Sequence, residues 1–254
     1  MSSCGVGQRL IPLGHHMQPD PTRLRQAARL QTPIIGLYDA LDPSLFSPAV
    51  QPKPGTRTCL FSFYQDWLDG RFLHLTEEVY GCRGAGRWLF GLTSRPMKEF
   101  VDFLVGEEGL RANAHLMERW VEATIPYRPE HGQLFVGPLR AEAYTYLKTA
   151  CFLVTPDQLS LLIIGAYYHA APEDPPPVLA PFGSGCGQMV ALFPELATPQ
   201  ALIGGTDIAM RPHLPPHILI FTATKPMFAR LCSLDERSFL FKPFWQRLLH
   251  SRQT

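Results

Sequence analysis

The sequence lacks a hydrophobic run long enough to cross a bilayer. Its longest strongly apolar segment, LSLLIIGAYY from Leu159 to Tyr168, has ten residues, whereas a membrane-spanning helix needs roughly 20. The first 19 residues, MSSCGVGQRLIPLGHHMQP, also lack the apolar stretch of a secretory signal. These absences predict a cytoplasmic protein with no membrane partner.

The chain also has little charge and no block of like charges. Only 18% of its 254 residues are charged, and 23 Lys and Arg against 22 Asp and Glu leave a net charge of +1. An average globular protein has about 25% charged residues, and a protein that binds nucleic acid usually shows a basic patch. We therefore expect a well-buried domain that does not bind nucleic acid.

Closely spaced cysteine pairs are missing as well. The chain contains no C-x-x-C pair, so a zinc ribbon or a thioredoxin-like motif has no local support. In a reducing compartment these cysteines are expected to be thiols. The six are Cys4, Cys59, Cys82, Cys151, Cys186 and Cys232. We interpret Cys4, Cys151 and Cys232 as structural, because they fall in a terminal segment, a predicted strand and a predicted helix.

Two glycine-rich stretches fail the patterns of known catalytic loops. GCRGAG, from Gly81 to Gly86, spaces its glycines as G-x-x-G-x-G, which is neither the dinucleotide fingerprint nor the phosphate-binding P-loop. PFGSGCGQM, from Pro181 to Met189, does not place glycines two positions away on both sides of Ser184 or Cys186. A hydrolase nucleophile elbow is therefore excluded.

Helical and strand-like segments follow one another along the chain without a repeat. Helices are predicted over 22–30, from 58 to 68, over 97–105, 112–123 and 156–168, and over 226–232; strands are predicted over 33–38, 72–75, 133–139, 150–154 and 217–222. This pattern predicts an α+β fold, as a single mixed domain or two closely packed lobes. Residues 1–32 are assigned to an N-terminal extension and residues 33–254 to the α+β domain.

The two glycine-rich stretches share one arrangement, a cysteine between glycines directly before an apolar run. If a helix begins there, its backbone amides should lower the pKa of the Cys82 and Cys186 thiols, and Arg83 should add to that effect. The alternative is that small residues simply pack where a helix meets a sheet.

Several longer segments stand in a recognisable order: TCLFSFYQDWLDGRFLHLTEEVYGCRGAGRWLFG, YLKTACFLVTPDQLSLLIIGAYY, PFGSGCGQMVALF and GGTDIAMRPHLPPHILIFTATKPMFARL. Their order resembles the bacterial and archaeal family called domain of unknown function 169, the ArCR group, over about Pro33 to Leu231. The resemblance brings no established activity. It implies that the family's cysteine positions correspond here to Cys59, Cys82 and Cys186.

Three thiols that meet in a folded chain can do several kinds of chemistry. Cys59, Cys82 and Cys186 could hold an iron–sulfur cluster with one iron open to another ligand, or a zinc ion with His74 or His169 as the fourth ligand. Cys82 and Cys186 could instead exchange between dithiol and disulfide, in contact with a redox partner. A purely structural role is the remaining alternative.

A second polar constellation is GGTDIAMR, from Gly204 to Arg211. If Thr206 caps a helix, Asp207 and Arg211 lie four residues apart and can form an ion pair on its surface. Arg211 could alternatively bind a carboxylate or phosphate with two hydrogen bonds. The sequence thus leaves two classes of function: a cofactor-bearing or redox-active protein that uses the three cysteines, and a non-enzymatic module that binds a small anionic ligand near Arg211.

Overall fold

A seven-stranded mixed sheet organises the described part of the chain in this computed structural model. The structure describes residues 19–50, 59–76, 80, 82, 88–92, 96–124, 126–190, 193 and 195–252. The sheet order is β2-β3-β1-β4-β7-β6-β5, and all neighbours are antiparallel except β5 and β6. The strands are β1 Ile35–Asp39, β2 Leu73–Leu75, β3 Leu134–Pro138, β4 Leu147–Val154, β5 Val178–Leu179, β6 Ala201–Gly204 and β7 Leu219–Thr224.

Both faces of this sheet are buried. Along β4, Phe152 packs into a hydrophobic cluster on one face, which we call the first core. Its neighbours Cys151 and Leu153 pack into a cluster on the other face, the second core. The division follows from the alternation of side chains along a strand, and β4 reads as an almost continuous apolar run because neither of its faces meets water.

Four helices cover the first core: α1 Thr22–Ala27, α5 Pro156–Tyr167, α7 Lys225–Cys232 and α8 Pro243–Ser251. The start of α5 agrees with the sequence-based prediction. The Thr155 hydroxyl accepts from the Gln158 backbone N–H, the Gln158 side chain accepts from the Thr155 N–H, and Pro156 occupies the first turn. This capping box stops the chain from continuing β4 past Val154.

The second core lies beneath shorter elements. They include a 3₁₀ turn over Leu60–Phe63, α2 Tyr64–Leu68, α6 Gly187–Val190 and a 3₁₀ turn over Arg211–His213. Beside them a separate helical lobe is formed by α3 Met97–Asp102, a π-helical turn over Phe103–Glu107 and α4 Ala114–Ala123. This lobe has its own small cluster around Phe100 and Met117.

The predicted α+β class is confirmed. The predicted strand 150–154 is longer in the structure, since β4 begins at Leu147. The helix expected from residue 58 is instead a 3₁₀ turn followed by the short helix α2. In the predicted N-terminal extension, Leu24 and Ala28 are buried in the first core, and the boundary at residue 32 stays a prediction. No helix in the described ranges is long and apolar enough to span a bilayer.

One buried carboxylate ties a loop to the centre of the sheet. Asp39, at the end of β1, is fully buried. It accepts hydrogen bonds from the Tyr127 hydroxyl (2.8 Å) and from the backbone N–H groups of Glu130 (2.6 Å) and His131 (2.9 Å). A buried carboxylate is costly unless it is hydrogen-bonded, so these three bonds hold the chain that leads into β3 against Asp39.

Replacing Asp39 with alanine should therefore lower the free energy of unfolding by about 3 kcal/mol, because three hydrogen bonds to a buried carboxylate are lost. Urea denaturation followed by circular dichroism measures the change. The matched control is Asp42→Ala, which removes an exposed carboxylate that accepts from one backbone N–H, that of Ser44, and should cost less than about 1 kcal/mol. Equal losses in the two variants would contradict the assignment.

Candidate cysteine-lined site

A cavity of about 260 Å³ lies where the second core meets the helical lobe. Cys59, Cys82 and Cys186 all line it, although they come from segments far apart in the sequence. None of the five cysteines in the described ranges forms a disulfide. The structure thus brings the three predicted site cysteines to one place. Cofactor binding by them stays a prediction.

The loop that carries Cys186 is held by short polar contacts. Ser184 Oγ accepts from the Gly187 N–H (3.1 Å) and faces the Cys186 thiol (3.5 Å). The Gly185 N–H donates to Asp207 Oδ2 (2.9 Å), and the other oxygen of Asp207 accepts from the Ala209 N–H (2.9 Å). Asp207 therefore braces two loops that line the cavity, a role its sequence neighbourhood does not reveal.

Gln188 anchors the same loop to the end of β6. Its side chain is fully buried. Its Nε2 donates to Thr206 Oγ1 (3.1 Å) and to the Pro181 carbonyl (3.3 Å), while its Oε1 accepts from the Gly205 N–H (3.0 Å). One amide thus satisfies three groups in a region without regular strand pairing.

The glycine before Cys186 is required by close packing. A Cβ at Gly185 would lie 1.9 Å from the Met210 sulfur and 3.1 Å from the Phe61 ring. Met210 is itself buried and lines the cavity. The absence of a side chain at Gly185 therefore allows Met210 to pack directly against the backbone of the cysteine loop.

The expectation of a lowered pKa is wrong for the Cys186 thiol. Burial raises the pKa of Cys59 to about 12, and the nearby Cys82 and Asp207 add to that shift. Burial also raises the pKa of Cys186, with Cys82 as the next contributor. The helix that follows Cys186, α6, has only four residues, and its dipole does not compensate for the loss of water around the sulfur.

A tyrosine that the sequence gives no reason to select lies beside the three thiols. Tyr80 is fully buried, and its hydroxyl has no nitrogen or oxygen partner in the described part of the chain. Burial raises its pKa well above the ordinary value, and the adjacent Cys186 and Cys82 raise it further. A buried hydroxyl without a conventional partner calls for an explanation, and here the group it faces is the sulfur of Cys186.

Neither histidine suggested as a fourth zinc ligand, His74 or His169, is among the residues that line the cavity. His74 stacks on Phe135 with ring centroids 4.6 Å apart, and Phe135 belongs to the first core, on the opposite face of the sheet. His169 is exposed beyond the end of α5. Within the ranges that the structure describes, no three His, Cys, Asp or Glu side chains are grouped to hold one metal ion.

The predicted Asp207–Arg211 ion pair does not form, because residues 206–210 are not helical. The Arg211 guanidinium donates to the carbonyls of Ile218 (2.6 Å) and Pro216 (2.8 Å), with longer contacts to Pro215 and Gly205. Arg211 therefore stabilises the turn before β7. An anion site at Arg211 stays a prediction. The guanidinium N–H groups that would bind the anion already donate to backbone carbonyls.

The rest of the cavity wall is mainly apolar and comes from the helical lobe and from the loops that carry Cys186 and Asp207. Glu108, directly after the π-helical turn, also lines the cavity. Burial raises the pKa of Glu108, and the Asp207 carboxylate adds to this effect. The apolar lining residues are Phe103, Leu104, Leu110, Trp120, Phe182, Ile208, Ala209 and Met210.

The other cysteines lie elsewhere. Cys151 is buried on β4, and Cys232 ends α7 on the side of the first core. Neither is among the residues that line the cavity. Cys4 falls outside the described residues. The interpretation of Cys151 and Cys232 as a strand residue and a helix residue is confirmed.

The packing around Gly185 can be tested by mutation. Gly185→Ala should lower the free energy of unfolding by about 1–3 kcal/mol, because the new methyl group would overlap the Met210 sulfur and press on the Phe61 ring, so that these buried side chains must repack. Gly106→Ala is the matched control, since a Cβ there meets nothing within 4 Å. Thermal unfolding of both variants gives the comparison, and a neutral Gly185→Ala would overturn this explanation of the glycine.

The reactivity of Cys59 follows from its raised pKa. Because the thiolate is the nucleophile, iodoacetamide should label Cys59 slowly at pH 8, and the rate should still rise as the pH approaches the pKa of about 12. In urea the rate should level off near the ordinary value of about 9. Peptide mass spectrometry after timed labelling measures both profiles. Coincident profiles would contradict the burial of this thiol.

Comparison with known proteins agrees with the resemblance noted in the sequence. No curated protein and no solved structure matches this chain. The model of one protein family matches residues 23–233, which include all three cavity cysteines as well as Tyr80, Glu108 and Asp207. The chain therefore belongs to the family described as uncharacterised ArCR, domain of unknown function 169.

Proposed function

We propose that this protein binds an iron–sulfur cluster through Cys59, Cys82 and Cys186. The observation that carries the proposal is the meeting of three thiols from remote segments at one cavity. Thiolates are the usual protein ligands of iron–sulfur clusters. Three of them leave one iron for a further ligand or a substrate, so the bound cluster would supply redox or Lewis-acid chemistry.

A cluster requires less close grouping of the thiols than a single zinc ion does. A zinc ion draws its sulfur ligands to about 2.3 Å from one point, and the described residues contain no group that tight. A cluster interposes its own iron and sulfide atoms between the cysteines, so its ligands stand further apart. A cavity of about 260 Å³ between the sulfurs and the helical lobe suits the larger occupant.

The raised thiol pKa values fit a site that becomes charged only when it is loaded. Without a cation, burial keeps Cys59 and Cys186 protonated. A metal centre takes the same thiols as thiolates and releases their protons. The Tyr80 hydroxyl, which faces Cys186, could then donate to a thiolate sulfur, an interaction that tunes the potential of such centres.

The two alternatives have weaker support. Thiol–disulfide exchange by Cys82 and Cys186 needs an attacking thiolate, and burial raises the pKa of Cys186. A module that binds a small anion near Arg211 needs free donors, and this guanidinium already donates to backbone carbonyls.

The test is anaerobic reconstitution with iron and sulfide. The wild-type protein should bind both in stoichiometric amounts and gain a broad visible charge-transfer absorption, which the triple variant Cys59→Ser, Cys82→Ser, Cys186→Ser should lack. Loading should also weaken as the pH falls, because protons compete for the thiols.

The control is Cys151→Ser with Cys232→Ser, which removes two thiols outside the cavity. This variant should load like the wild type. The proposal is contradicted if the wild-type protein stays colourless and binds no iron. It is also contradicted if the triple variant loads as well as the wild type.

A further inference from the structure

The part of the cavity away from the cysteines is an aromatic enclosure. Trp120, on α4, and Phe182, in the loop before Cys186, line it together and meet edge to face with ring centroids 5.2 Å apart. Phe103 and Leu104 continue the wall from the helical lobe. A small apolar or aromatic group would find a surface here that is lined but not filled.

A carboxylate without a partner faces this enclosure. Glu108 lines the cavity and is half-buried, and within the described ranges its carboxylate has neither a hydrogen bond nor an ion pair. A charge that is removed from water is costly unless it is paired. The raised pKa of Glu108, caused by burial and by the nearby Asp207, reflects that missing partner.

The described charged side chains that line the enclosure are carboxylates. Asp207 is a second lining carboxylate, and the described lining residues include no Lys, Arg or His. The guanidinium of Arg111 stacks 4.0 Å above the Phe182 ring and is not itself part of the lining. This contact is a cation–π pair, the kind of interaction by which an aromatic wall can also attract a bound cation.

We propose that the cavity binds a small organic cation, a protonated amine attached to an apolar or aromatic group. The ammonium would pair with Glu108 and come near Asp207, and the apolar part would pack against Trp120 and Phe182. An ammonium offers both the charge and the hydrogen-bond donors that Glu108 lacks. This inference depends on the carboxylates and the aromatic wall and not on the iron–sulfur cluster, so the two proposals can fail separately.

Three probes of similar shape test the sign of the ligand: benzylamine, benzyl alcohol and benzoate. Titration calorimetry or ligand-observed NMR on the full chain should show benzylamine binding at least about tenfold more tightly than benzyl alcohol, a difference of about 1.4 kcal/mol. Benzoate should bind most weakly, because two carboxylates face it. This ranking of the three affinities is measured on the wild-type protein alone.

Glu108→Gln keeps the shape of the side chain and removes its charge. It should abolish most of the preference for benzylamine and leave the affinity for benzyl alcohol unchanged. The matched control is Glu107→Gln, which alters an exposed neighbour outside the lining and should keep the preference. Near-ultraviolet circular dichroism verifies the fold of each variant.

The same probes applied to the triple cysteine-to-serine variant separate the two proposals. A preference for benzylamine that persists there supports the cation site whether or not a cluster binds. The inference is overturned if benzyl alcohol or benzoate matches benzylamine on the wild-type protein, or if folded Glu108→Gln retains the full preference.

Discussion

The candidate site depends on the way one amide side chain joins a glycine loop to the end of a strand. Gln188 donates to the Pro181 carbonyl before the loop and to Thr206 beyond β6, and it accepts from the Gly205 N–H. The backbone at Pro181 and Gly205 lies outside the strands of the sheet. The buried Gln188 amide therefore supplies hydrogen bonds that a neighbouring strand would otherwise supply. Cys186 and Asp207 reach the same cavity because their two loops are fixed to each other.

The position of the cavity follows from how the apolar side chains are divided. The second core covers one face of the sheet, and the helical lobe has its own cluster around Phe100 and Met117. The cavity lies between the two clusters and takes apolar walls from both, such as Met210 and Leu104, together with ionisable groups. Thiols and a carboxyl group can be half-buried at such a boundary, where ligand sites commonly form.

The sequence predicts the fold class from the periodicity of its helical and strand-like segments. The family resemblance selects three cysteines, and these line one cavity in the fold. Prediction from the sequence fails where the three-dimensional surroundings of a side chain determine its hydrogen-bond partners or its pKa. Arg211 has the spacing for an ion pair, yet nearby carbonyls take its donors. The pKa of Cys186 is raised where the pattern predicts a lowered one, since burial outweighs a helix of four residues. Tyr80 and Glu108 belong to no motif, and only the fold gives them their neighbours.

The ionisable groups at this site determine what can occupy it. The described ionisable side chains that line the cavity are all acids: thiols at Cys59, Cys82 and Cys186, and carboxyl groups at Glu108 and Asp207. Burial disfavours the charged form of an acid, whereas a bound cation favours it. An electropositive occupant therefore gains from every one of these groups, whereas an anion would be repelled by the carboxylates and gain little from neutral thiols. The metal centre and the organic ammonium are chemically different, but both satisfy this one electrostatic requirement, and an anionic ligand does not.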